Sequence, residues 1–272
     1  MSAANRPNEL AFGRGITVRS ITVISLVFLY IHILILVLYS FNASRFASHW
    51  GGFSLKWYRV MFADTALWQA IRNTLIIAVA NTLLSTVLGT LVALGLSRFR
   101  SRLNGLLHTT LHMPIIIPDI VQGVSLLMFF VLINYTLGLG SVVLAHASFS
   151  ISFVALVVLA RLSTFDHNLE IAARDLGANR WQTFWRIVFP NISQGILAGA
   201  LLAFTLSVDD FVITFFTAGV GSTTLPLKIY SMIKFGITPE INAVSSLLVV
   251  LSITAVLAIH RFESKNEENG GS

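Results

Sequence analysis

Six runs of apolar residues, each about as long as a bilayer is thick, dominate this 272-residue chain. They are Ile21–Phe41, Asn73–Leu96, Met113–Ile133, Ser141–Ala160, Ile192–Thr217 and Ile241–His260. A membrane-crossing helix needs about 20 mostly apolar residues, so the chain reads as an all-α integral membrane protein with six transmembrane helices. Charge content agrees: only 11% of residues are charged and 55% are hydrophobic, against about 25% charged in soluble domains. Mean hydropathy is +0.80. Too little charge is present to coat a water-facing surface, which excludes a soluble enzyme.

The first run exceeds the 7–15 residues of a signal-peptide core, and no small-x-small cleavage site follows at Ser40–Arg45; it reads as a retained anchor. This divides the chain into an N-terminal segment (1–20), a transmembrane domain (21–260) and a polar tail (261–272) with the composition of a disordered segment. Lys and Arg set the orientation. With the N-terminus inside, the inner segments hold twelve: Arg6, Arg14, Arg19, Arg98, Arg100, Arg102, Arg161, Arg174, Arg180, Arg186, Arg261 and Lys265. The outer segments hold six: Arg45, Lys56, Arg59, Arg72, Lys228 and Lys234. Both termini are therefore expected in the cytoplasm. The net charge of +6 does not point to nucleic acid, because no basic cluster is interleaved with exposed aromatics on a soluble fold. The absence of cysteine removes disulfides and thiolate sites.

Two loops are too long to be simple turns. In the outer loop 42–70, Leu55, Tyr58, Met61 and Phe62 recur at roughly helical spacing and, with Trp57 and Trp68, suggest a short interfacial helix. It reads equally as a cap over the bundle or as a docking surface. The inner loop 161–191 is polar and carries both charge signs. A helix is predicted over Leu169–Leu176, with Gly177 at its C-terminus. A second amphipathic piece, Trp181–Val188, is expected to end at Pro190.

Asp209 and Asp210 lie inside the fifth run. An acid within a span costs about 2.5–3.5 kcal/mol on insertion scales and seldom faces lipid. Neighbours on a helix point about 100° apart, so at least one is expected to face the bundle interior, toward the outer half of the span. A carboxylate there suits a cationic substrate. The alternative is a structural pair that caps a helix or holds Lys228 or Lys234. At the start of the third run, Pro114 and Pro118 predict a kink, either a hinge or a static bend. Asp119 follows as a candidate pathway acid or a partner for the cluster Arg98–Arg102. His108 and His112 share a helix face without carboxylate or Cys companions, and no metal site is expected. No P-loop, dinucleotide-binding turn or Ser nucleophile elbow is present in the sequence. Any ATP that drives this protein must bind another chain.

The inner loop reads Glu170-Ile-Ala-Ala-Arg-Asp-Leu-Gly177, then nine residues, then Ile187-Val-Phe-Pro190. This resembles the EAA loop of ATP-binding-cassette (ABC) importer permeases, E-A-A-x-x-x-G, nine residues, then I-x-L-P. Ala172, Ala173, Gly177, Ile187 and Pro190 match, while Ile171 stands for the motif's Glu (beside Glu170) and Phe189 for its Leu. The stretches Ala203–Phe216, Leu225–Met232, Pro239–Ala243, Met113–Val121 and Leu55–Tyr58 are similar to the second permease subunit of spermidine/putrescine importers.

The resemblance implies a type I ABC importer (MetI-like) permease architecture in the bacterial inner membrane. Its implied partners are a homologous second permease subunit, two ATP-binding subunits and an extracytoplasmic polyamine-binding protein. ATP and Mg would be held by the ATPase, and this chain would bind no cofactor. On that reading Glu170, Ala172, Ala173, Gly177, Ile187 and Pro190 couple to the ATPase, while Asp209, Asp210 and Asp119 line the pathway. The alternatives are an ABC permease for another small substrate such as ferric iron or phosphonate, or an ion-coupled secondary transporter. A membrane enzyme is a further rival, but the cluster of His, Asp or Glu at one depth that it needs is not visible.

Overall fold

The computed structural model describes residues 9–45, 49–98, 104–234 and 239–270, with side chains over 17–45, 49–98, 104–234 and 239–254. The regular elements there are helices: α1 (Glu9–Tyr39), α2 (Lys56–Ala63), α3 (Thr65–Arg98), α4 (Asn104–Ile116), α5 (Asp119–Leu132), α6 (Leu139–Ser163), α7 (Asn168–Asp175), α8 (Arg180–Thr183), α9 (Phe189–Asp209), α10 (Val212–Thr217), α11 (Leu225–Lys234) and α12 (Pro239–Gly270). Four unbroken helical runs are long and apolar enough to cross a membrane: Thr17–Tyr39, Thr65–Arg98, Leu139–Ser163 and Arg180–Asp209. The third expected span is not one straight helix: it falls on the pair α4 and α5, which together are apolar and long enough but are bent by 108° at their break, the geometry of a broken span or a re-entrant loop. The sixth expected span falls on α12, whose apolar stretch with described side chains is Pro239–Thr254. The rest of that expectation, residues 255–260, lies outside the described side chains.

The chain divides into two compact units, residues 65–230 and residues 1–64 with 231–272. In the first, α3, α6 and α9 pack against one another most extensively. Small residues make this possible, as is usual where lipid supplies no hydrophobic drive between helices. Val154 of α6 is fully buried and is approached by Gly89 of α3 and Gly199 of α9. A Cβ at Gly89 would sit 2.8 Å from Val154 Cβ, and one at Gly199 would sit 3.1 Å from Val154 Cγ1. Polar bonds add direction. Buried Asn81 of α3 donates to Ser150 Oγ of α6 at 3.1 Å and to the Ala203 carbonyl of α9 at 3.3 Å, and accepts from Ser85 at 2.9 Å. Asn73 donates to the carbonyls of Gly221 and Thr223, which ties the loop after α10 to α3.

In the second unit, α12 packs on α1 and α2. The short helix expected in the outer loop is α2, but its buried face differs. Trp57 and Met61 point inward, while Leu55 and Phe62 are exposed. Trp57 Nε1 donates to the Asn42 carbonyl at 2.9 Å, which makes this tryptophan a buried anchor. Hydrophobic spacing alone does not reveal that bond. The backbone of α12 stays helical to Gly270, where composition predicts a disordered tail. No glycine or proline precedes Gly270 in that stretch of polar residues, so no strong helix breaker interrupts it.

Two further expectations are corrected. Pro190 does not end the helical segment before the fifth span. Helix runs from Arg180 to Asp209, with Pro190 in the first turn of α9 and a π-turn, Phe184–Val188, just before it. The π-turn bonds Phe189 N–H to the Phe184 carbonyl, five residues back. This shift in the ladder accommodates a residue with no N–H to donate. The fifth run is also not one helix: it breaks at Asp210–Phe211, between α9 and α10.

Candidate functional site

The break in the fifth run has a local chemical cause. Asp210 leaves helical geometry (φ −64°, ψ 125°), and its carboxylate caps α10. Its Oδ2 accepts from Thr214 N–H at 2.8 Å and from the Thr214 hydroxyl at 2.7 Å, and its Oδ1 lies 3.4 Å from Ile213 N. An Asp that satisfies the open N–H groups of a following helix is a strong start signal. A third contact comes from α6. His146 Nε2 lies 3.2 Å from Asp210 Oδ2 and 2.9 Å from Thr214 Oγ1, while Nδ1 lies 2.7 Å from Ser207 Oγ. An ionised carboxylate only accepts, so Nε2 carries the proton and donates. Ser207 Oγ holds the other ring nitrogen, Nδ1. The imidazole is fully buried.

Ser207, His146 and Asp210 together have the composition of a hydrolytic triad. Ser207 is buried at 4% exposure, and it does not line the adjoining cavity. The contacts tie α6 to both sides of the break. Sequence reasoning missed His146, although an ionisable residue inside the apolar run Ser141–Ala160 was a usable signal.

The three candidate pathway acids come together. Asp119, Asp209 and Asp210 all line one cavity of about 390 Å³, with Pro114, Gln122, Phe149, Phe153 and Phe211 among its other walls. Asp210 is engaged as described, with His146 rather than a lysine as its partner. Asp209 is the last residue of α9, and Asp119 the first of α5. Both are exposed, and among the described residues neither carboxylate has a side-chain partner. The pairing considered between Asp119 and the cluster Arg98–Arg102 does not form with Arg98, which bonds Glu170 instead. Arg100 and Arg102 lie outside the described residues. The cavity thus sets two open carboxylates among aromatic rings, a chemistry that attracts organic cations through charge and through ring faces.

Of the two prolines, Pro114 lines the cavity. Pro114 lies within α4, and Pro118 precedes α5. Pro118 has no N–H for the Pro114 carbonyl. Gln122 Nε2 takes its place, donating to the Pro114 carbonyl at 2.8 Å and to the Ile117 carbonyl at 2.9 Å. A break at membrane depth is tolerated where neighbours re-satisfy the freed carbonyls, and Gln122 does so here. His112 Nδ1 lies 2.7 Å from the His108 carbonyl, and no group of three or more His, Cys, Asp or Glu able to hold a metal is found among the described residues.

The inner loop folds as two short helices around a tight corner. Gly177 follows α7 with φ +87°. No atom lies within 4 Å of a Cβ added there, so the glycine is required by backbone conformation rather than by space. Asn179 caps α8 by accepting from Gln182 N–H at 2.9 Å, and Gln182 returns a bond to Asn179 N–H. Ala173, Gly177 and Ile187 line one shallow groove with Leu176, Gln182 and Arg186. Leu176 is 89% and Trp181 70% exposed, an apolar pair on the surface of the loop. Glu170 turns inward instead. Its side chain is 12% exposed and pairs with Arg98 at 3.1 Å, with His167 at 3.7 Å and Arg174 at 3.8 Å nearby.

Residues 85–263 match the model of the family described as binding-protein-dependent transport system inner membrane component. The chain is 40% identical over 245 residues to the spermidine/putrescine transport system permease protein PotC of Shigella flexneri, covering 90% of this chain and 93% of that one. It is 39% identical over 235 residues to the putrescine transport system permease protein PotI of Escherichia coli (strain K12), covering 84% of each. Its fold is similar to a chain of a bacterial alginate ABC transporter crystallised with an alginate pentasaccharide-bound periplasmic protein, with a TM-score of 0.71 at 16% identity over 94% of this chain and 96% of that one. With the family model matching residues 85–263 and relatives about 40% identical over most of the chain, this chain is a member of the binding-protein-dependent transport system inner membrane component family.

Proposed function

We propose that this chain is the permease subunit of an ABC importer of polyamines, forming half of the translocation pathway. The observation that carries this reading is the cavity where Asp119 and Asp209 stand unpaired among Phe149, Phe153 and Phe211. A polyamine alternates ammonium groups with methylene segments. Carboxylates answer the first, and aromatic faces answer both. The relatives' names, spermidine/putrescine and putrescine permeases, support the same class.

On this reading the chain pairs with a homologous second permease subunit, receives cargo from an extracytoplasmic polyamine-binding protein, and rests on two ATP-binding subunits. ATP and Mg are held by those subunits, and the chain itself is non-catalytic. It sits in the bacterial inner membrane with both termini in the cytoplasm, as the excess of inner arginine supports. The loop from α7 to α9 docks on the ATPase through Ala172, Ala173, Gly177, Leu176 and Ile187, with Pro190 leading into the span. Glu170 holds α7 in place from within.

The test is ATP hydrolysis and uptake by the complete complex in proteoliposomes, with binding protein loaded in turn with spermidine, putrescine or ferric ion. Stimulation by a polyamine-loaded protein supports the proposal. Stimulation by ferric ion alone assigns another substrate, and uptake driven by an ion gradient without ATP refutes the importer class.

A further inference from the structure

His146 is a buried side chain that hydrogen-bonds to both sides of the break in the fifth run. Through Nδ1 it holds Ser207 on α9, and through Nε2 it holds Asp210 in the break and Thr214 on α10. The ring is anchored on α6, which packs against α9 and α10. Phe149, one turn further along α6, contacts the imidazole with ring centroids 5.7 Å apart and lines the acid cavity. Asp209 lies between Ser207 and Asp210 in sequence, at the last residue of α9. Its direction is therefore set by two neighbours that one imidazole holds at once.

We propose that His146 is a positioning residue for cargo capture: it staples the α9–α10 break to α6, keeps Asp210 committed to the wall, and so aims Asp209 into the cavity as the carboxylate that meets an ammonium group. This rests on the polyamine reading of the cavity. The imidazole itself is fully buried, and a buried polar bond has few substitutes. His146→Leu leaves Asp210 and Ser207 without their shared partner, and α9 can then turn about the break. His146→Gln keeps the function, since one amide both donates and accepts.

The test uses the complete complex with its ATPase and polyamine-loaded binding protein. Two quantities are read: polyamine uptake, and the ATP hydrolysis that the binding protein stimulates. His146→Leu is expected to lower uptake per ATP hydrolysed by about tenfold, the effect of ~1.4 kcal/mol, and His146→Gln to restore it to within about twofold. Because His146 acts through Asp209, His146→Leu in an Asp209→Asn background is expected to cause no further loss in that ratio. A merely structural role would lower uptake and hydrolysis together and leave the ratio unchanged, which overturns the inference. Additive losses in the double variant overturn it too. If His146→Leu fails to assemble, Ser207→Ala removes one arm of the staple and is expected to lower the same ratio; an unchanged ratio there is an overturning result. The two ideas separate cleanly. If Asp209→Asn lowers the ratio and His146→Leu does not, only the staple fails. If Asp209→Asn itself changes nothing, the polyamine reading of the cavity fails.

Discussion

Asp209 and Asp210 are the same residue type at adjacent positions, yet their surroundings give them different work. Asp210 accepts from Thr214 N–H, the Thr214 hydroxyl and His146, whereas Asp209 has no side-chain partner among the described residues. Asparagine can still accept backbone N–H bonds, so Asp210→Asn is expected to keep the α10 cap and to cost uptake only a few-fold. Asp210→Ala removes the cap, worth about 0.5–2 kcal/mol, and is expected to lower the melting temperature of the purified chain in detergent. Asp209→Asn leaves the fold alone and removes the open charge. A charged hydrogen bond is worth about 1.5–3 kcal/mol, so uptake is expected to fall by about tenfold or more with an unchanged melting temperature. Equal losses from the two asparagine variants would contradict the division. Two acids in an apolar run are visible in the sequence as a site; which one is free is not. That depends on His146, 64 positions away from Asp210, and on a cap that forms only because the helix breaks.

At the scale of elements, local chemistry was legible and its three-dimensional consequence was not. Pro114 and Pro118 announce a disrupted helix, but the 108° bend and the repair by Gln122 are tertiary outcomes. Gln122→Leu is expected to strand the Pro114 and Ile117 carbonyls at a cost of about 1–3 kcal/mol, read as a lower unfolding midpoint; an unchanged midpoint would mean that the carbonyls find other donors. Gly177 and the EAA-like spacing likewise announce the corner between α7 and α8. The inward turn of Glu170 depends on Arg98, 72 positions earlier at the end of α3. An ion pair this close to water contributes little stability, about 0–1 kcal/mol. Its value lies in geometry: α7 is held to a helix of the main bundle, and under the proposed coupling role a push on α7 would reach α3. Glu170→Gln is expected to leave the melting temperature within the scatter of the wild type and to reduce binding-protein-stimulated ATP hydrolysis several-fold. Exchanging the pair, Arg98→Glu with Glu170→Arg, is expected to recover it. Failure of the exchange to recover hydrolysis, with both chains folded, would remove the strut from the coupling route.

For the molecule as a whole, the apolar runs and the arginine asymmetry carry topology, and one traverse of the bilayer tests it. The helical run from Arg180 to Asp209 continues through the break to α10 and the loop that follows. On the proposed orientation Leu176, 89% exposed at the start of this path, lies in the cytoplasm, and Val220, fully exposed just past α10, lies outside. The chain has no cysteine, so a single introduced cysteine is the only thiol to react. Leu176→Cys in sealed right-side-out vesicles is expected to resist a membrane-impermeant maleimide and to react once the vesicles are opened. Val220→Cys is expected to react in both. Adding the ATP-binding subunits to opened vesicles is expected to slow labelling of Leu176→Cys and leave Val220→Cys unaffected, because an exposed leucine that shares a groove with Ala173, Gly177 and Ile187 is apolar surface that docking would cover. The reverse labelling pattern would place the α7–α8 corner outside, where no ATPase could reach it. Labelling of Leu176→Cys that ignores the ATP-binding subunits would leave the orientation standing and move the docking surface elsewhere on the cytoplasmic face.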